Sequence, residues 1–208
     1  MTQEEKAKAN GDAKYRKKVL FADLDGTLID TILGNTFPKG IWDMQFKWDV
    51  LHAIKEYGFE ILIIVSNQGG IEKGFVDERH FCKGKMNYIQ FALMEFLGIP
   101  VEYDYCKFND PTNPFRKPNT GMLEHLCYKN LPKHNIIASK DEMLMIGDAS
   151  CKEGQFSDSD KKTAENFGID YFDIEDFEQF VENIGVKEPP SKTFPRVNEF
   201  IEGASYRH

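Results

Sequence analysis

The stretch that most constrains this chain is Lys17-Lys18-Val19-Leu20-Phe21-Ala22-Asp23-Leu24-Asp25-Gly26-Thr27-Leu28. An apolar, β-prone run ends there in two carboxylates at i and i+2, followed by Gly and Thr. A short apolar run bounded by turn residues reads as a fully buried strand of a parallel sheet. In open α/β sheets the ligand sits outside the carboxyl ends of such strands, which is where the Asp pair falls. Two acids so close repel each other, so the pair is expected around a cation or a shared proton. A turn that merely ends a strand is the plain alternative, and the rest of the chain weighs against it.

The same pattern recurs downstream. Phe59 to Val65 reads as a second buried strand, running into Ser66-Asn67-Gln68-Gly69-Gly70, a turn whose hydroxyl and backbone N–H groups suit a phosphate oxygen. Val101 to Phe108 reads as a third, and Glu142 to Gly147, ending in Asp148, as a fourth; Gly168 to Phe172 is a short last strand. Between them the spacing predicts a helix over Trp48–Tyr57 stopped by Gly58, and a long helix over Glu78–Leu97 with Phe81, Ile89, Phe91, Leu93, Phe96 and Leu97 on its apolar face. Further helices are expected from Pro118-Asn119 onward, over Lys161–Phe167 and over Ile174–Ile184, with Ile29–Gln45 as a loop or short flap. Trp42 and Trp48 read as packing residues.

Strands alternating with helices imply right-handed crossovers and an α/β, doubly wound parallel sheet with helices on both faces. No segment is long enough for a large cap domain. The 208 residues fit one such unit, 17–185, preceded by a polar leader, 1–16, and followed by a Pro-containing strap, 186–208. A net charge of −8 argues against a surface that coats nucleic acid, though not against an enzyme that grips one phosphate at a chain end. The four cysteines are scattered, with no CxxC pair, which disfavours a disulfide framework or a thiolate zinc site. No stretch approaches the roughly 20 apolar residues of a membrane span, and the first residues lack a signal-peptide core. The expected compartment is cytoplasmic, with the nucleus left open.

In such a sheet Asp23, Asp25, Ser66, Lys117 and Asp148 all fall at or just beyond strand ends, where they can converge. In this order they resemble the four motifs of the haloacid dehalogenase (HAD) superfamily of phosphohydrolases, over residues 17–182. Within it, Ser66 to Ile71, Phe115 to Met122 and the runs around Gly147-Asp148 and Ser157 to Asp160 are most similar to the 3′-phosphatase domain of polynucleotide kinase/phosphatase. The resemblance implies a phosphatase that acts through an aspartyl-phosphate. Asp23 would be the nucleophile and Asp25 the acid and base, with Ser66 and Lys117 holding the phosphoryl oxygens. It implies Mg²⁺ held by Asp23, the Asp25 carbonyl and Asp148, with Asp160 ordering a metal-bound water. Thr27, Asn67, Gln68 and Arg116 are the substrate-binding candidates, and a nucleic-acid 3′ end is the expected partner.

Two departures stand out. No GxxxxGK[ST] phosphate loop is present, so no kinase activity is expected, and Lys152 stands where the family usually offers an arginine. Asp158 matches no acidic position and is expected to be solvated. A small-metabolite phosphatase, such as one for histidinol phosphate or a sugar bisphosphate, is the alternative substrate class. A silent binding module is a third reading, opposed by the intact acid set.

Overall fold

The computed structural model describes residues 16–183, apart from 36, 39 and 156; all but the last residue of the expected leader, and the strap, lie outside the described residues. Five parallel strands form the sheet: β1 (Val19–Ala22), β4 (Ile61–Asn67), β5 (Val101–Cys106), β6 (Met143–Gly147) and β7 (Asp170–Asp173). Their order is β5-β4-β1-β6-β7. The chain leaves β1 toward β4 and β5, then crosses back to β6 and β7, so the direction of winding reverses beside β1. That reversal opens a crevice at the carboxyl ends of β1 and its neighbours.

Strand side chains alternate between two cores. Leu20, Ala22, Leu62, Ile64, Leu144 and Ile146 face one layer of helices. That layer holds α1 (Trp48–Tyr57), α2 (Asn87–Leu97) and α5 (Ile174–Asn183). Val19, Phe21, Ile61, Ile63, Met143 and Met145 face the other layer, formed by α3 (Gly121–Lys133) and α4 (Ser159–Phe167). Every residue of β1 is fully buried, as a central strand covered on both faces requires. Gly58 ends α1 in the left-handed conformation expected of a glycine cap.

Several boundaries differ from the sequence reading, each for a physical reason. The second strand starts at Ile61, because Phe59 stacks on Tyr57 with ring centroids 4.2 Å apart. It runs on through Ser66 and Asn67, because these pair with Tyr105 and Cys106 of β5. The 29–45 segment contains a small antiparallel hairpin, β2 (Ile29–Thr31) with β3 (Met44–Phe46). Buried Asp43 organises it by accepting hydrogen bonds from Thr31 Oγ1, Leu33 N and Asn35 Nδ2 at 2.9–3.0 Å.

The long helix before β5 is not one α-helix. Residues His80–Met86 wind as a π-helix before α2 begins. A π turn uses one residue more than an α turn, which shifts the phase of the apolar stripe. Phe91, expected on the buried face, is 62% exposed as a result. Trp42, expected to pack, is also largely exposed, whereas Trp48 meets Phe96 edge-on at 5.4 Å. The helix expected from Pro118 begins at Gly121. No helix among the described residues is long and apolar enough to cross a membrane.

Candidate active site

Asp23 follows the last residue of β1 and is buried, its amide donating to Ile146 O on β6. Asp148 follows β6, and Asp160 lies in the first turn of α4, almost fully buried. Carboxylate oxygens of the three lie within 4.8 Å of one another. Two glycines leave the room for this. A Cβ on Gly26 would stand 2.1 Å from Asp148 Oδ2, and one on Gly147 would stand 2.4 Å from Asp160 Oδ2.

Lys117 is the counter-charge. Its Nζ lies 2.5 Å from Asp23 Oδ1 and 2.7 Å from Asp160 Oδ1, and it donates to Val65 O at 2.9 Å. Burial alone would push this ammonium toward neutrality, but Asp160 and Asp23 overcome that and hold its pKa above the ordinary lysine value. One lysine does not neutralise three acids. Burial, opposed by Lys117 and reinforced by Asp160, pushes the Asp23 carboxyl up to about 8. Burial and then Asp160 push Asp148 up to about 6.

Asp25 is two residues away and belongs to a different network. Its Oδ1 accepts from Lys85 Nζ at 2.9 Å, and its Oδ2 from Gln68 Nε2 at 2.7 Å. The same Gln68 nitrogen lies 2.9 Å from Ser66 Oγ. Each side-chain carboxylate of the Asp pair thus has its own lysine. Lys85 is only 8% exposed and sits in the π-helix. It was missed in the sequence although it carried a signal, since it falls four residues after Phe81 and four before Ile89 on the apolar stripe. Lys47 is a second unforeseen cation, donating to Gly26 O at 2.9 Å.

The other expected ligands are placed differently. Asn67 grips the backbone of Lys117 at both ends: its Oδ1 accepts from Lys117 N at 3.0 Å and its Nδ2 donates to Lys117 O at 3.1 Å. Thr27 is fully buried and its hydroxyl has no partner among the described residues, so it does not line the open cleft. Arg116 donates from Nη1 to Phe108 O at 2.9 Å. Lys152 is held at the start of α5 by Asp176 at 2.9 Å and by Asp173 and Glu175 at 3.3 Å. Asp158 is part-exposed and pairs with Lys162 at 2.6 Å.

The donor set suits a hard, oxygen-seeking divalent cation. Three carboxylates converge, Lys117 takes one oxygen each of Asp23 and Asp160, and Asp160 Oδ2 is buried with no hydrogen-bond partner among the described residues. An unpaired buried carboxylate oxygen is costly, and a cation would satisfy it.

A family model described as polynucleotide kinase 3 phosphatase matches residues 18–177. The chain belongs to that family. This member of the polynucleotide kinase 3 phosphatase family is a phosphatase of the HAD superfamily. It is 30% identical over 200 residues to the bifunctional polynucleotide phosphatase/kinase of Schizosaccharomyces pombe, covering 94% of this chain and 45% of that one. It thus spans less than half of that relative's length. An uncharacterized 20.8 kDa protein of Autographa californica nuclear polyhedrosis virus is 29% identical over 177 residues, 81% of this chain and 89% of its own. Among solved structures, the D,D-heptose 1,7-bisphosphate phosphatase of B. bronchiseptica, complexed with magnesium and phosphate, superposes with a TM-score of 0.53 at 18% identity. That match covers 80% of this chain and 97% of the other and shows the shared fold.

Proposed function

We propose that this phosphatase removes a 3′-phosphate from polynucleotide ends through an aspartyl-phosphate on Asp23. The observation that carries the reading is the separation of the two aspartates. Asp23 lies with Lys117 and the acid cluster, while Asp25 stands apart with Gln68 and Lys85. A nucleophile must meet phosphorus beside positive charge, and a general acid must reach the leaving oxygen on the opposite side of the transferred group. One carboxylate cannot do both in the same step.

In this reading Asp23 attacks phosphorus, and the P–O bond to the nucleoside breaks as Asp25 gives its proton to the leaving 3′ oxygen. Asp25 then takes a proton from the water that attacks the phosphoenzyme, which releases inorganic phosphate and restores Asp23. Lys117 and the Ser66 hydroxyl hold the phosphoryl oxygens through both steps. Asn67 fixes Lys117 by its backbone, and Gln68 couples Ser66 to Asp25. Mg²⁺ would be held by Asp23, Asp148, the Asp25 carbonyl and, through water, Asp160. Bound there, it supplies screening between an anionic nucleophile and an anionic phosphate. We take residues 17–185 as the catalytic unit, working in the cytosol or nucleus where polynucleotide ends lie.

The polynucleotide assignment is supported by the family match and by the insert between β1 and α1, a hairpin too small to enclose a metabolite. The fold shared with a sugar-bisphosphate phosphatase keeps a small-metabolite substrate as the second reading. Phosphate release from a 3′-phosphorylated oligonucleotide, histidinol phosphate and a heptose bisphosphate, each with Mg²⁺ and with chelator, separates them. Metal-dependent release from the oligonucleotide alone upholds the proposal, and release from a metabolite alone replaces it.

A further inference from the structure

A cavity of about 260 Å³ opens beyond the carboxyl end of the edge strand β5, outside the acid cluster. Its walls include Tyr105, Phe108 and Phe115, with Glu78, Asp104 and Asn113 at its polar margin. Phe108 and Phe115 are 43% and 36% exposed, large apolar rings left in contact with water. We propose that this cavity receives a nucleobase of the strand whose terminal phosphate lies at Asp23. The inference rests on the polynucleotide reading above and adds a second contact point to it.

Size and charge select the occupant. The volume is below the roughly 300–1,000 Å³ of pockets that enclose whole drug-sized ligands, and fits a single planar ring system. The charges around it are already committed. Lys107 Nζ lies 2.9–3.0 Å from both oxygens of Glu78, which also accepts from Tyr105 Oη at 3.0 Å. His125 Nδ1 lies 2.9 Å from Asp104 Oδ2. A phosphate would find carboxylates and no uncommitted lysine among the lining residues. An uncharged base would find three aromatic rings in the lining and would need no free cation.

Position fits as well. Tyr105 and Cys106 pair in register with Ser66 and Asn67, and β4 in turn neighbours β1. Strands lie about 4.8 Å apart, so the cavity mouth is on the order of 10 Å from the Asp23 strand, a reach of roughly one or two nucleotides.

The cavity is also built in advance. Arg116, next in the chain to Lys117, holds the Phe108 carbonyl at 2.9 Å, and Cys106 Sγ approaches the same oxygen at 3.6 Å. Asn113 Oδ1 accepts from Phe115 N, and Asn109 Nδ2 donates to Gly69 O, both at 2.9 Å. The rings are thus mounted on backbone tied to both the Lys117 loop and the Ser66 turn, which lowers the ordering cost of binding.

The test compares Phe108→Ala, Phe108→Leu and Phe115→Ala with the unaltered protein. Substrates are a 3′-phosphorylated oligonucleotide, the same strand made abasic at its last two positions, and an aryl phosphate. Base–aromatic stacking predicts that kcat/KM on the intact strand falls about 5- to 150-fold, mainly through KM. Aryl phosphate turnover should change by less than about twofold, which also reports that each variant is folded. The unaltered protein should lose the same factor on the abasic strand, and the variants should no longer distinguish the two strands. Full activity of all three variants on the intact strand, or equal losses on strand and aryl phosphate, overturns the cavity while leaving the 3′-phosphatase reading standing. If the unaltered protein cleaves the aryl phosphate and not the oligonucleotide, both readings fall together.

Discussion

Asp23 and Asp25 are separated by one leucine, yet they occupy opposite electrostatic worlds. Asp23 is packed with two further acids against one fully buried lysine, and its proton is held up to about 8. Asp25 meets an amide and a lysine brought in from 43 and 60 residues away, with no second acid sharing these partners among the described residues. The difference teaches that alternation along a chain end can deliver two identical side chains to two chemistries. On the proposed reading the surroundings, not the residue type, divide the work.

The sharpest way to break the comparison is to neutralise each acid in turn. On the proposed reading, Asp23→Asn should cost at least about a thousandfold in phosphate release from every substrate, since it removes the nucleophile. Asp25→Asn should be selective: about 10²–10⁴-fold on an alkyl phosphate, whose leaving oxygen needs a proton, and far less on a nitrophenyl phosphate. Equal losses on the two esters would contradict the assigned division. Steady-state rates on both, with circular dichroism to confirm folding, decide it. Lys85→Met, acting through its ion pair with Asp25, should follow the Asp25 pattern at roughly tenfold, and Lys85→Arg should recover part of it.

How far this pair could be read in advance is instructive. The strand, the acid doublet, Ser66 and Asp148 announce themselves because each lies at the end of an apolar run, and Lys117 because a lysine stands just before a Pro-Asn helix entry. Lys47 does not, because a lysine beside a hairpin looks like any surface charge, and the one signal Lys85 carries, its place on an apolar stripe, is faint beside a strand end. Asn67 and Arg116 show the converse. Polar residues beside a site are easily taken for ligands, when backbone carbonyls and amides next to them have the stronger claim.

A gentler probe is pH. With the metal chelated, Asp23 binds a proton in the folded protein that the unfolded chain releases near pH 4. Folded stability is therefore full below that value and is lost as pH rises through about 8. On the proposed reading Mg²⁺ would take the place of the proton, so it should raise Tm more at pH 8 than at pH 5, and Asp23→Asn should flatten the pH dependence of the chelated protein. Thermal melts at the two pH values, with and without Mg²⁺, provide the check.

The smallest expected effect lies far from the acids. Glu142, hydrogen-bonded by Lys18 and by Ser139, is held down to about 2. Its contribution is present above its ordinary value of 4.5 and fades as pH falls toward 2, so Glu142→Gln should alter melting only in acid.

The two glycines beside the acids carry a consequence of a different kind. Gly147 has no unusual backbone angle, yet a methyl there would meet Asp160 Oδ2 at 2.4 Å and its Cβ at 2.7 Å, on a residue that is itself buried. The most economical way to silence this enzyme therefore removes no ligand and alters no charge. A single carbon atom in the space between two strands and a helix would suffice, which makes the centre as vulnerable to crowding as to chemistry.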